Sequence, residues 1–351
     1  MILNEGLKVL VALVLNKNKK TMNRFDLNDI LIKPSKSSNI ASRKSINPFY
    51  DGFLPLITAP MDTVINVNNR HIYGQANILT CLPRGEQNPF GFESYSLDEI
   101  VDNASNNKLN ENGYYLIDIA NGHMSVLLKT VKYLKKKYPF ITLMVGNVAN
   151  PETYRDLSEA GADYVRVGIG NGGGCSTTVH TGVGFPMGSL IQECWMISCG
   201  LDRPAKIVAD GGIQNYADII KSLALGADYV MVGSLFNKAI ESCGPNYLFK
   251  YLRVPQVVAE GCYKIGLPIY KKFRGMSTKE VQKKWGKTNL TSSEGVTRYR
   301  KVEYSIHQWA KNFEDYLRSA MSYSNTETLE DFIGMVETIQ VTNNAYQRYK
   351  K

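Results

Sequence analysis

The stretch ITLMVGNVANPETYRDLSEAGADYVRVGIG, residues 141–170, decides the fold. ITLMV (141–145) and DYVRV (163–167) are short, mostly apolar runs, the composition of strands buried on both faces. Between them, NPETYRDLSEAGA opens on an Asn-Pro capping signal and ends at Gly-Ala, the marks of a helix start and stop. Outward from this strand–helix–strand unit the same alternation recurs. Further runs are LPLIT (54–58), NILTC (77–81), YYLID (114–118), KIVAD (206–210), DYVMV (228–232) and PIYKKF (268–273). Eight such units predict an α/β chain folded as a (β/α)8 barrel; a doubly wound parallel sheet is the alternative. The chemically distinctive residues follow the runs: TAPMDT, DIANGH, GNV, a Gly-Cys loop, DGGI and GSLF. On a barrel all of these fall at the C-terminal ends of strands, where active sites gather.

The 351 residues are 44% hydrophobic, enough for a large core, and the length is compatible with one barrel. The net charge of +9 comes with scattered lysines, which suits solvated faces and a phosphorylated substrate better than nucleic acid. Cysteines 81, 175, 194, 199, 243 and 262 form no CxxC pair or Cys/His cluster, so no zinc site or disulfide framework is expected, and a reducing cytoplasmic setting is. No run is long enough to span a bilayer, and no membrane role is expected. Residues 1–22 contain the apolar stretch LKVLVALVL without a following small-residue cleavage site; they are taken as an N-terminal extension to a barrel over 23–351, or as preceding a start at Met22.

The loop GIGNGGGCSTTVHTGVGFP (168–186) places Cys175 among glycines. Glycines let backbone N–H groups or carbonyls approach a ligand closely, and a thiol held there is presented to that ligand. In ADGGI (209–213), Asp210 is placed to accept from two adjacent hydroxyls, and the glycines lead into a helix whose N-terminus suits phosphate. Gly233 and Ser234 repeat that device one strand later.

Together these residues resemble the IMP dehydrogenase/GMP reductase family. The resemblance runs from about Asn23 to Lys351 through FDLNDILIKP (25–34), APMDTV (59–64), 146–170, CSTTVHTGVGFP (175–186), ADGGI, GADYVMVGS (226–234), FRGMS (273–277) and SEG (293–295). It implies a (β/α)8 barrel, a homotetramer, and a purine nucleoside monophosphate as substrate. It also implies that Cys175 attacks purine C2, with Thr177 and Glu294 completing the catalytic set. The carbonyls of Gly170, Gly172 and Cys175 would hold a potassium ion. Asp210 would bind the ribose diol; Gly212, Gly233, Ser234, Gly275 and Met276 would line the rest of the nucleotide site, the phosphate included. Asp118 and Asn121 match positions beside the nicotinamide. Arg84 keeps the positive charge in the segment TCLPRGEQNPFGFESY, which replaces a family stretch bearing a His-Lys pair, but cannot donate a proton near neutral pH.

The resemblance leaves the redox direction to be read from detail. Only STKEVQKKWGKTNLTS (277–292) separates RGM from SEG, a short flap without the Arg-Tyr pair that activates water in the dehydrogenases. No regulatory insertion of the CBS type interrupts the run from APMDTV to CST. Both features, with IQECW (191–195), point to a GMP reductase using NADPH; IMP dehydrogenase with NAD, or an altered purine-nucleotide-binding homologue, are the alternatives. Arg298-Tyr299 follows Glu294 instead of preceding it and is taken as a surface pair. Two departures concern the phosphate: Gly173 stands where the family has Ser, and Phe273 where it has Tyr.

Overall fold

The computed structural model describes residues 24–275, 278, 281 and 295–349. Eight parallel strands form one sheet: β1 (Leu56–Thr58), β2 (Cys81–Leu82), β3 (Phe92–Tyr95), β4 (Tyr114–Asp118), β5 (Thr142–Val148), β6 (Tyr164–Val167), β7 (Lys206–Asp210) and β8 (Tyr229–Val232). Their order is β1-β8-β7-β6-β5-β4-β3-β2. The sheet closes on itself where Ile57 bridges Leu79 and Leu79 N–H donates to Leu56 O at 3.1 Å. This is a (β/α)8 barrel, and no inserted domain interrupts residues 24–275.

The barrel interior is filled by Ile57, Cys81, Phe92, Leu116, Met144, Val208, Tyr229 and Met231. Tyr164 and Tyr229 open their strands, so their rings, with Tyr50, plug the N-terminal end, where Lys206 Nζ sits 4.1 Å from the Tyr50 centroid. The opposite end is therefore the one left for polar groups.

Local capping sets the helices as expected. Asn150 Oδ1 accepts from Glu152 N–H at 2.9 Å and Pro151 fills the first turn of α4 (Pro151–Glu159); α1, α2 and α3 are Arg70–Gln75, Leu97–Ser105 and Ser125–Lys137. Two helices, α5 (Thr177–Thr181) and α6 (Met187–Ser198), follow β6, and α7 (Tyr216–Ala224) follows β7 under an Asn215 cap.

The predicted strand set needs one correction. PIYKKF is not a barrel strand. It lies in β11 (Ile269–Arg274) of a separate antiparallel sheet with β9 (Asn246–Leu248), β10 (Leu252–Val254) and β12 (Thr297–Lys301), ordered β10-β9-β11-β12. The barrel strand that replaces it is β3, FESY. Its alternating burial and the helix-free link from β2 hide it among loop residues. The four-stranded sheet, with α8 (Gln256–Lys264), is an excursion between β8 and the last barrel helix, α9 (Ile306–Tyr323). In α9, Ile306, Trp309, Ala310, Phe313, Leu317 and Met321 form one buried stripe that packs against α1 and α7. No helix among the described residues is long and apolar enough to cross a membrane.

Candidate active site

A charged network crosses the C-terminal end of the barrel. Arg166 is the one charged residue of β6 and its side chain is 7% exposed. Its Nη1 meets Asp118 Oδ1 at 2.7 Å and its Nη2 meets Asp210 Oδ2 at 2.8 Å, so one guanidinium ties the end of β4 to the end of β7. Burial pushes the Arg166 pKa down, but the two carboxylates outweigh it and the net displacement is upward. Asn147 donates to Asp210 Oδ2 at 2.7 Å and to Gly168 O at 2.9 Å. With Oδ2 so engaged, Asp210 Oδ1 accepts from no described residue.

Arg84 lies against the other side of Asp118. Its Nη2 donates to the Asp118 carbonyl and its Nε is 3.9 Å from Asp118 Oδ2. Asn121 is exposed on the loop after β4, its Oδ1 accepting from His123 N–H at 3.2 Å. His123 Nε2 accepts from Ala149 N–H at 3.1 Å, which leaves Nδ1 as the proton-bearing nitrogen that donates to Thr153 at 2.9 Å. Burial lowers the His123 pKa, so this neutral tautomer fixes the β4 loop to the β5 loop.

Cys175 is partly exposed, and its Sγ lies 3.1 Å from Thr177 Oγ1. The thiol sits on a turn closed by Cys175 N–H to Gly172 O at 2.9 Å, and Thr177 begins α5. Three backbone segments meet here. Cys175 bridges Gly295 in antiparallel register, Val296 N–H donates to Gly174 O at 3.0 Å, and Gly275 N–H donates to Val296 O at 3.1 Å. Only glycine permits this approach: a Cβ on Gly275 would lie 2.1 Å from Gly174 O, and one on Gly295 would lie 2.7 Å from Thr278 Cγ2.

The remaining candidates ring the same end. Gly212 follows β7 and Gly233 follows β8, each two positions beyond the paired residues Asp210 and Met231. Cβ positions on Gly211 and Gly212 would fall 3.0 Å from Gly172 N and 3.5 Å from Asn171 Cβ, so the β7 turn abuts the cysteine loop. Gly233 lies against Met61, with Ser234 partly exposed beside it. Gly275 reaches this ring through Gly174. The structure therefore gathers Cys175, Thr177, Gly170, Gly172, Asp210, Gly212, Gly233, Ser234, Gly275, Asp118, Asn121 and Arg84 at one end of the barrel. Met276, Glu294, most of the 277–295 flap and the extension 1–22 lie outside the described residues.

A family model described as the IMP dehydrogenase / GMP reductase domain matches residues 104–350. The chain belongs to this family. Its members are oxidoreductases, and relatives of both kinds are similar to this chain. It is 34% identical to the inosine-5'-monophosphate dehydrogenase of Chlorobaculum parvum, over 65% of this chain and 45% of that protein. It is 27% identical to the GMP reductase of Ascaris suum, over 93% of this chain and 96% of the relative, and 27% identical to GMP reductase 2 of Homo sapiens, over 91% and 94%. The chain thus spans about half the length of the family's dehydrogenase from Chlorobaculum parvum and nearly all of the two reductases.

Sequence reasoning missed Arg166, Asn147, Asp62 and Arg274. Arg274 Nη2 meets Asp62 Oδ2 at 2.6 Å, with both side chains nearly buried, and so anchors the start of the flap to the end of β1. Arg166 had a signal: a single charge inside a strand otherwise built for burial. Asp62 and Arg274 stand in APMDTV and FRGMS, but nothing in the sequence pairs them across 212 residues.

Proposed function

We propose that this chain is a GMP reductase, which converts GMP to IMP and ammonia with NADPH through a covalent bond between Cys175 Sγ and purine C2. The observation that carries this reading is the contact of Cys175 Sγ with Thr177 Oγ1 at 3.1 Å, on a loop whose backbone pairs with Gly295, the residue after Glu294. Thr177 orients the thiol and, with Glu294, carries a proton to the departing amine, because ammonia leaves well only when protonated. As Sγ bonds to C2 the C2–N bond breaks. When bound, NADPH supplies the hydrogen and two electrons that replace C2–S by C2–H, and sulfur returns as thiolate.

Asp210, with Oδ2 held by Arg166 and Asn147, offers Oδ1 to the ribose diol. Gly212, Gly233, Ser234 and Gly275 would line the nucleotide; Met276, given the same role by the resemblance, lies outside the described residues. The residues assigned to the nicotinamide side suit it: Asn121 is exposed and its Nδ2 donates to no described residue, while Arg84 and Arg166 fix Asp118. Potassium would use the carbonyls of Gly170, Gly172 and Cys175; Gly172 O already accepts from Cys175 N–H and keeps one lone pair for the ion.

Three features favour reduction over dehydrogenation: the near full-length match to reductases, the absence of an inserted domain within residues 24–275, and a flap sequence without Arg-Tyr. Arg298 and Tyr299 are exposed on β12, past Gly295. IMP dehydrogenase is the second reading, favoured by the higher identity to the Chlorobaculum protein. Following the nicotinamide absorbance with GMP plus NADPH, and then with IMP plus NAD, separates the two. Sustained turnover in the first mixture supports the reductase, and sustained turnover only in the second overturns it. A cytoplasmic homotetramer is the proposed form, and light scattering on the purified chain measures the assembly.

A further inference from the structure

Arg300, at the edge of this site, forms no ion pair with a carboxylate among the described residues. It stands on β12, opposite Lys271 of β11. Its guanidinium carbon lies 5.0 Å from the centroid of Phe273, and its Nη2 lies 3.4 Å from where a Cβ on Gly173 would be. The other site arginines each face a carboxylate: Arg84 and Arg166 face Asp118, and Arg274 faces Asp62. Arg300 pairs with no described carboxylate, and its Nε is enclosed without a hydrogen-bond partner among the described residues. Burial, then the charge of Arg298, lowers its pKa, and the nearby Tyr304 and Glu303 only partly oppose this.

The surroundings define what would compensate it. Gly173, Gly174 and Gly275 bring backbone without side chains, and Phe273 brings a ring face and no hydrogen-bonding group. A guanidinium stacked on an aromatic ring is held in orientation with its in-plane donors free, the arrangement that suits a tetrahedral dianion. We propose that Arg300 binds the phosphate monoester of the nucleotide, supplying by charge the contact that residues 173 and 273 cannot supply by hydroxyl groups. This rests on the purine nucleotide reading above. It makes substrate affinity in this chain depend on one arginine and on salt.

The test compares wild type with Arg300→Gln and Arg300→Lys. Losing charge-assisted bonds to phosphate should raise the KM for GMP about 10- to 100-fold in Arg300→Gln, with a smaller fall in kcat. Arg300→Lys should fall between the two, and adding salt should raise KM in wild type more than in Arg300→Gln. Gly173→Ser, added to Arg300→Gln, should recover part of the affinity, because no φ strain or tight contact opposes a side chain there. A KM for GMP within twofold of wild type in folded Arg300→Gln overturns the assignment and leaves the reductase reading intact. If wild type does not turn over GMP, that reading falls separately. Arg300 is then judged with inorganic phosphate alone: a phosphate-induced rise in melting temperature present in wild type and lost in Arg300→Gln supports it, and an equal rise in both overturns it. Melting without phosphate shows whether each variant is folded, and Arg300→Lys carries the comparison should Arg300→Gln fail to fold.

Discussion

Two regions meet at the C-terminal end of the barrel, and they are built from opposite materials. The Asp118–Arg166–Asp210 network is made of charge on β4, β6 and β7, with Arg166 buried and the two carboxylates partly exposed, and is cross-linked by Asn147. The junction of Gly174, Gly275 and Gly295 has no side chains of its own, and among the described residues its segments are joined by backbone hydrogen bonds. The network breaks by losing a charge, whereas the junction breaks by gaining a carbon. The difference suggests a division of tasks under the proposed reaction: the sugar would be fixed by barrel strands, and the thiol would be held by a junction of backbone segments.

The largest expected effect lies at the junction. Cys175→Ala should reduce GMP turnover to background, while calorimetry still detects GMP, because the ribose and phosphate contacts do not involve sulfur. Residual turnover near the wild-type rate would remove the covalent step from the account. Arg166→Met comes next and should act on stability. Asp118 would keep Arg84 and Asp210 would keep Asn147, but both would lose their shared buried cation, at a cost of about 1.5–3 kcal/mol in denaturant unfolding. A loss under about 1 kcal/mol would mean that water already screens the network.

Gly275→Ala sharpens the contrast, since its Cβ would lie 2.1 Å from Gly174 O and must push the segments apart. Displacing the nucleophile's support by that much should cost about 10²-fold in kcat, with much less change in melting temperature than Arg166→Met. Equal thermal losses in both variants would erase the distinction between the two regions. Asp210→Ala should raise the KM for GMP by an amount worth about 1.5–3 kcal/mol, and far less for the 2'-deoxynucleotide if the diol is the partner. The smallest effect is one of reactivity. Burial pushes the Cys81 and Cys243 thiols up to about 12, so iodoacetamide at pH 8 should modify partly exposed Cys175 and spare those two. Mass spectrometry of the tryptic peptides reads the order.

The sequence made the barrel and the ring of loops legible because parallel strands buried on both faces leave apolar runs, and glycines and capping residues punctuate them. It concealed β3, since FESY alternates and follows a loop without a helix. PIYKKF was misplaced because an antiparallel strand packed beside a barrel has the same local composition as one inside it. Within the site, Cys175, Thr177 and Asp210 stand in recognisable motifs. The ties that hold Asp210 come from Arg166, 44 residues away, and Asn147, 63 away, and only closure of the barrel brings them together. Arg300 was hidden in the same way, because its meaning depends on the emptiness of Gly173 and the ring of Phe273.

The central claim, that this thiol serves a reductive deamination, is tested most directly by following nicotinamide absorbance in the two directions on one preparation. With GMP and NADPH the account predicts sustained NADPH oxidation matched by ammonia and IMP. With IMP and NAD it predicts a burst of about one NADH per site and then little turnover, because nothing in the flap sequence activates water to release the adduct. Sustained NADH production from IMP, with no NADPH oxidation by GMP, would contradict it.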